Sequence, residues 1–342
     1  MSEAQVTREG LRGQRPGREA AVGSRGGRGG RRRREEVVPE ASFGSYYGKP
    51  VLNKPVWSAT DIAGYFFLGG LAGASSFLGA GAGATGRPAL ARVCKVGAVG
   101  ALGGSFYGLI HDLGKPARFP LMLRMVKPTS PMNMGSWLLT AYAPSAGAAA
   151  LSAVTGRVPR LGALASGSAA VLGPAVASYT AVLVSNTAVP AWHDGYRQMP
   201  FVFVASAAAS AGGLGLVGSP LAEAGPAARA GLLGAMAEAG ASTLMERRMG
   251  LAGEPYKTGR SGWMMRAAKV LSLAGGVAGV TLGRGSRQWA AASGLLLLTG
   301  SALSRFAIFA AGIASAQDPR YTVVPQRERL DALDEGGGGH GP

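Results

Sequence analysis

Charge is scarce in this sequence. Only 15% of its 342 residues are charged, against about 25% in an ordinary soluble protein. Cysteine is nearly missing: Cys94 stands alone, which excludes a disulfide and a cysteine-ligated iron–sulfur cluster within the chain. Histidine occurs three times, as His111, His193 and His340. None lies deep in an apolar run, which argues against a bis-histidine haem inside a helical bundle. Some stretches contain no charge at all: Ile62–Ala82, Gly135–Thr155, Leu161–Trp192 and Gln198–Ala222. Each is long enough to cross a hydrocarbon layer, which takes about 20 residues of helix. A soluble core helix would carry a polar face at 3.6-residue spacing, and these carry none.

What is present fits that reading. The sequence predicts an all-α integral membrane protein with eight transmembrane helices in a compact bundle. The expected spans are Trp57–Ala84, Arg92–Leu113, Met134–Thr155, Leu161–Pro190, Met199–Leu221, Ala228–Glu246, Arg266–Gly283 and Gln288–Gln317. The seventh has a short uncharged stretch, Val270–Gly283, so Lys269 and Arg266 are expected to snorkel to the interface. Fifty-six glycines suit helices that associate by close backbone approach. Gly69–Gly73 and Gly79–Gly83 give small-xxx-small stripes in the first span.

Residues 1–34 hold ten arginines among glycines and cannot bury a core, so an arm over 1–50 is expected to be disordered. "GGRRRREE" is not followed directly by the short apolar run of a twin-arginine export signal. Attraction to anionic membrane lipid is the expected use of the arm, and no nucleic-acid partner is expected. Residues 51–320 form the membrane domain and 321–342 a tail. With eight spans both termini share one side. That side carries 26 Lys and Arg and the other eight, which predicts a cell-membrane protein with both termini in the cytoplasm.

Polar residues converge on the terminus side. In "WSATDIAGYFFLGG", Asp61, Tyr65 and Gly69 share one helical stripe, and an acid one turn inside a membrane helix is a functional candidate. "YGLIHDLGKP" ends the second span, where His111 is a candidate proton relay and Asp112 can hold its ring or pass a proton. Arg118 and Arg124 in the following loop are candidates for docking an acidic partner. In "SYTAVLVSNTAVPAWH", Tyr179 is an amphipathic donor suited to a quinone carbonyl. In the sixth span, Glu238, Ser242 and Glu246 share a face, and the two carboxyls are candidates for proton transfer. Arg305 in the eighth span is expected to pair with a buried acid, Glu238 among them. No metal site is expected.

Several of these stretches resemble the NrfD/PsrC-like family, the membrane subunits of polysulfide reductase-type molybdoenzymes. The likeness runs from about Trp57 to Arg327. It rests on "YFFLGGLAGA", "GLIHDLGKPARF", "KPTSPMNMGSW", "SYTAVLVSNTAVPAW" and "SRFAIFAAGIASAQDPRYTVVPQR". The resemblance implies a subunit that binds menaquinone or another quinone near the terminus side, with no haem and no cluster of its own. It implies two partners: a four-cluster iron–sulfur ferredoxin-like subunit and a molybdopterin catalytic subunit. By position, Asp61, Tyr65 and Tyr179 match quinone-site residues, and Asp112 falls near an acid proposed for proton transfer. The loop 115–133 is expected to roof the site, with Lys127 and Ser130 as further headgroup contacts. Its basic side chains are expected to meet the iron–sulfur subunit. In the first span some members carry Asn and His where this chain has Asp and Gly or Tyr. A secondary transporter and a passive anchor without quinone chemistry are the competing readings.

Overall fold

The computed structural model describes residues 5–7, 10–12, 51–53, 55, 57–112, 121 and 123–337. It divides into two units, Met1–Ser42 and Phe43–Pro342. In the first, β1 (Gln5–Thr7) and β2 (Gly10–Arg12) pair antiparallel with Gln5 opposite Arg12. The rest of the arm expected to be disordered lies outside the described residues.

The second unit is helical. Its helices are α1 (Ala59–Ala84), α2 (Pro88–Asp112), α3 (Pro131–Thr155), α4 (Pro159–Ser185), the single turn α5 (Pro190–His193), α6 (Met199–Gly218), α7 (Gly225–Arg248), α8 (Gly259–Val280), α9 (Arg287–Gln317) and α10 (Arg320–Gly337). A 3-10 segment, Gly250–Tyr256, joins α7 to α8. Proline opens α2, α3, α4 and α5. At the first helical position its fixed φ suits the helix, and its missing N–H would have had no intrahelical partner. Gly156 ends α3 at φ 68°, in the left-handed region where a glycine pays no Cβ penalty.

The long helices match the eight expected positions, with shifts at the ends. Helix α8 starts at Gly259 rather than Arg266, and the fourth stops at Ser185, before Pro190. Six of them, α1, α2, α3, α4, α6 and α9, are long and apolar enough to cross a membrane. Helices α7 and α8 are long enough, at 24 and 22 residues, but their hydropathy is lowered by Glu238 and Glu246 in one and Arg260, Arg266 and Lys269 in the other. The two cations expected to snorkel have protein partners. Lys269 Nζ pairs with Glu246 at 2.7 Å, and Arg266 donates to the Lys257 carbonyl at 2.9 Å. The outer surface of the bundle is apolar, with Leu164, Val171, Phe201, Leu233 and Val270 all strongly exposed. So much outward apolar surface suits hydrocarbon rather than water.

The chain runs up and down, so one end of the bundle collects the start of α1, the α2–α3, α4–α6 and α7–α8 connections and the end of α9. We call this the proximal end. Helix α1 packs against α2, α4, α6 and α9. Its glycines permit this. A Cβ on Gly73 would sit 2.2 Å from the Gly173 carbonyl oxygen of α4, and one on Gly79 would sit 3.0 Å from Cys94 Cβ of α2. Where α3 joins, Tyr142 donates to the Ala72 carbonyl at 2.7 Å and accepts from Ser76 at 2.7 Å. At the distal end Glu223 accepts from the Leu90 amide at 2.9 Å, satisfying a first-turn N–H of α2.

Gly73→Ala should therefore destabilise the bundle by at least the usual overpacking cost of about 1–3 kcal/mol, because the obstacle is backbone. Gly81→Ala, whose Cβ would meet nothing within 4 Å, should leave stability unchanged or slightly raised. Thermal unfolding of the two variants in one detergent compares them, and equal midpoints would refute the backbone-contact account of this crossing.

Candidate functional site

The proximal end is tied together by three of the predicted polar residues. Ser58 caps α1, its side chain accepting from the Asp61 amide at 3.4 Å. Asp61, in the first turn, holds His111 of α2 through Oδ2 and Nδ1 at 3.0 Å. Asp112 accepts from the Ser58 amide at 3.3 Å. The ring of His111 thus belongs to Asp61, and Asp112 binds backbone instead. The Asp61 side chain is 15% exposed and that of His111 61%, so the imidazole stands between the acid and the outside. It also stacks on Tyr107, ring centroids 5.7 Å apart. Gly108 allows the approach: a Cβ there would lie 2.9 Å from the Asp61 carbonyl oxygen.

One turn deeper, Tyr65 is buried and Tyr179 of α4 meets it edge-on, centroids 6.4 Å apart at 73°. The two phenols, predicted from separate helices, share one aromatic cluster with Phe66. Among the described residues neither hydroxyl has a hydrogen-bond partner, so both can donate to a ligand. Gly135 of α3 makes room for Tyr179: a Cβ there would lie 2.1 Å from Cε2. That glycine was not singled out from the sequence, although "KPTSPMNMGSW" contains it. A glycine one turn after a Ser-Pro helix start was the available signal.

The same motif explains the loop before α3. Ser130 caps the helix, accepting from the Asn133 amide at 3.4 Å. Asn133 accepts from the Lys127 amide at 2.6 Å and donates to the Met125 carbonyl at 3.0 Å. Trp137 Nε1 donates to the same carbonyl at 3.2 Å. Residues 123–130 are thereby folded back on α3. Ser130 and Lys127, predicted as headgroup contacts, make structural bonds here, and the Lys127 side chain is exposed. Arg124 is exposed too. Arg118 lies outside the described residues, as does the rest of 113–120.

Glu238 and Glu246 lie apart from this cluster, in the α6–α9 half. Glu246 is paired with Lys269. Glu238 is buried, and neither of its oxygens has a hydrogen-bond partner. Arg305 is buried as well. Its guanidinium lies over the Phe203 ring at 3.8 Å and donates to the Phe203 carbonyl at 2.7 Å. It faces Glu238, yet no hydrogen bond joins the two, so the expected pairing is not a direct contact.

A further group at the proximal end was not predicted. Trp192 stacks on Trp57 at 5.7 Å and donates to the Ile308 carbonyl at 2.8 Å. Tyr256 donates to the Ala191 carbonyl at 2.8 Å, and burial pushes its hydroxyl above the ordinary tyrosine range. These bonds pin the α4–α6 connection to α9 and to the 3-10 segment. Beside them a cavity of about 630 Å³ is lined by Trp57, Met264, Phe306, Phe309, Ile313 and Tyr321, with Arg260 and Asp318 among its polar walls. It includes none of the predicted headgroup residues. Among the described residues no group of three or more His, Cys, Asp or Glu side chains forms a metal site.

Comparison with curated proteins returned no match. Residues 49–224 match the family described as Polysulphide reductase, NrfD. That range covers α1 to α6 and the whole proximal cluster of Asp61, Tyr65, His111, Asp112, Gly135 and Tyr179. With membrane-type helices and half of its length matched, this chain is a membrane protein belonging to the polysulphide reductase NrfD family.

Proposed function

We propose that the chain is the quinone-reactive membrane subunit of an oxidoreductase complex, exchanging electrons between the membrane quinone pool and an iron–sulfur subunit. That subunit would in turn serve a molybdopterin enzyme of the formate dehydrogenase or sulfur-compound reductase type. The observation that carries the reading is the meeting of Tyr65 and Tyr179 one turn below the Asp61–His111 pair. Two phenol donors in an apolar, aromatic setting fit a flat ring with two carbonyls. A quinone takes up two electrons and two protons, and the electrons come from the partner's clusters. The residues of this chain bind and orient the headgroup. Asp61 holds the His111 ring, whose exposed side lets it exchange protons with the aqueous face. Asp112 supports the geometry by holding the start of α1.

In this reading α7 and α8 cross the membrane too, giving eight spans in a cell membrane. Apart from Arg229, which is exposed near the distal end of α7, their charges face inward or lie toward the proximal end, while Leu233, Met236, Val270 and Val277 point outward. The basic excess of the terminus side puts the proximal end in the cytoplasm. There the exposed Arg124, Arg247, Arg248 and Arg260 would meet an acidic partner. A transporter of the interrupted-helix kind is less well supported, because α3 and α4 run on through Pro144 and Pro174.

Tyr179→Phe should weaken quinone binding by about 0.5–1.5 kcal/mol, the worth of a neutral hydrogen bond. Gly135→Ala should weaken it more, because the new methyl displaces the whole ring. Quinone-dependent electron transfer in membranes containing the assembled complex measures both. Wild-type quinone dependence in both variants would leave a passive anchor as the better reading.

Arg124→Glu combined with Arg248→Glu should reduce copurification of the iron–sulfur subunit, most strongly at low salt where charge attraction is least screened. Undiminished recovery from low to high salt would mean these charges serve topology only.

A further inference from the structure

We propose that the α6–α9 half of the bundle contains a second, internal site that binds water and a proton, with Glu238 as the proton acceptor and the Glu246–Lys269 pair as its connection to the proximal face. The site is independent of the quinone reading and is testable without a quinone.

The argument starts from polar atoms without partners. Glu238 is 4% exposed and Arg305 1%. Both carboxyl oxygens of Glu238 and two nitrogens of Arg305, Nε and Nη1, are buried without a hydrogen bond. Buried polar groups of native proteins are nearly always satisfied by protein or by ordered water. Ser206 and Ser304 act on the carboxyl, but neither makes a hydrogen bond to its oxygens; both belong to a serine network of their own. Ser304 donates to the Ser301 carbonyl at 3.0 Å, Ser301 to the Ser206 carbonyl at 3.0 Å, and Ser206 lies 2.8 Å from the Ser301 hydroxyl. Each hydroxyl has one proton to give. Acceptors on one side and donors on the other, both unpaired and facing each other without touching, are what bridging water joins.

The surroundings decide which way the proposed site opens. Toward the distal end, α7 lies against α6 backbone: a Cβ on Gly234 would be 2.4 Å from the Ala209 nitrogen. Toward α1, Arg305 Nη2 approaches Gly70, where an added Cβ would sit 3.8 Å from it, and Phe203 and Phe66 stand 5.8 Å apart. Toward the proximal end the face is polar. Ser242 and Glu246 follow Glu238 on the same stripe of α7, the second carboxyl about 12 Å further along at about 1.5 Å per residue. Glu246 and Lys269 have side chains 13% and 22% exposed, and Lys269 acts electrostatically on Glu238 as well. In the proposed site a proton taken up by the Glu238 carboxylate from bridging water is replaced from the proximal face past this ion pair, with no electron transfer and no exit on the distal side. The charged and polar groups that face Glu238 are Arg305 and Ser304 of α9, Lys269 of α8 and Ser206 of α6.

Infrared spectroscopy of the full chain in lipid nanodiscs tests this. A protonated carboxyl band should appear over part of the pH range, shift in D2O, and vanish in Glu238→Gln. Glu246→Gln should keep the band and slow its exchange. If Glu238→Gln does not assemble, 13C labelling of glutamate in the unsubstituted chain assigns the band, and the slowed exchange in Glu246→Gln must still be seen. A band missing at every pH, unmoved by D2O, or persisting in Glu238→Gln overturns the site. Exchange as fast in Glu246→Gln as in wild type overturns the route. A fixed structural Glu238–Arg305 contact would give one of those results.

Discussion

The contact between Gly73 and Gly173 is the constraint on which the proximal site depends. At that crossing α1 and α4 touch backbone to backbone, closer than any side chain allows. The helices run antiparallel, so both lead from the crossing toward the proximal end in opposite chain directions. Tyr65 is eight residues before Gly73 and Tyr179 six after Gly173, which is about 12 Å and about 9 Å of helix at about 1.5 Å per residue. The two rings therefore arrive at nearly the same depth. Shifting the crossing by one turn, about 5.4 Å, would separate them.

Because α1 sits at the centre, its polar residues are shared out among its neighbours rather than left to lipid. The Ala72 carbonyl and Ser76 go to Tyr142, Asp61 goes to His111, and the Ser58 amide goes to Asp112. In hydrocarbon an unpaired polar group costs several kcal/mol, so each of these bonds constrains a helix as well as satisfying an atom. Ser75 of α1 is among the buried hydroxyls without a partner, and in the Glu238–Arg305 region carboxyl and guanidinium atoms also remain unpaired in the protein. The α1–α4 half thus carries two phenols packed edge-on near an exposed imidazole. The α6–α9 half carries an enclosed acid and base.

The proximal connections have different mechanical origins. Residues 123–130 are held by Asn133 and Trp137, two side chains of the helix they precede. The α4–α6 connection is held from outside, by Tyr256, Ser315 and the Trp57–Trp192 stack. Both devices spare irregular backbone from lipid at the end of the bundle where polar residues concentrate.

Uncharged runs of more than 20 residues were enough to place the long helices, since a polar face cannot hide in such a run. Spacing on one helix was legible too: Asp61 with Tyr65 and Glu238 with Glu246 share faces because α-helical periodicity is a local property. Two charged helices, α7 and α8, read as less apolar for the same local reason, although Glu238 is buried and Glu246 is paired with Lys269. Partners on different helices were not legible. That His111 takes Asp61 while Asp112 takes the Ser58 amide, that Gly135 vacates space for Tyr179, and that Glu238 and Arg305 face each other without bonding all depend on where helices cross. Crossing depth is set by backbone contacts between glycines far apart in the chain, and fifty-six glycines offer too many alternatives for their order alone to choose.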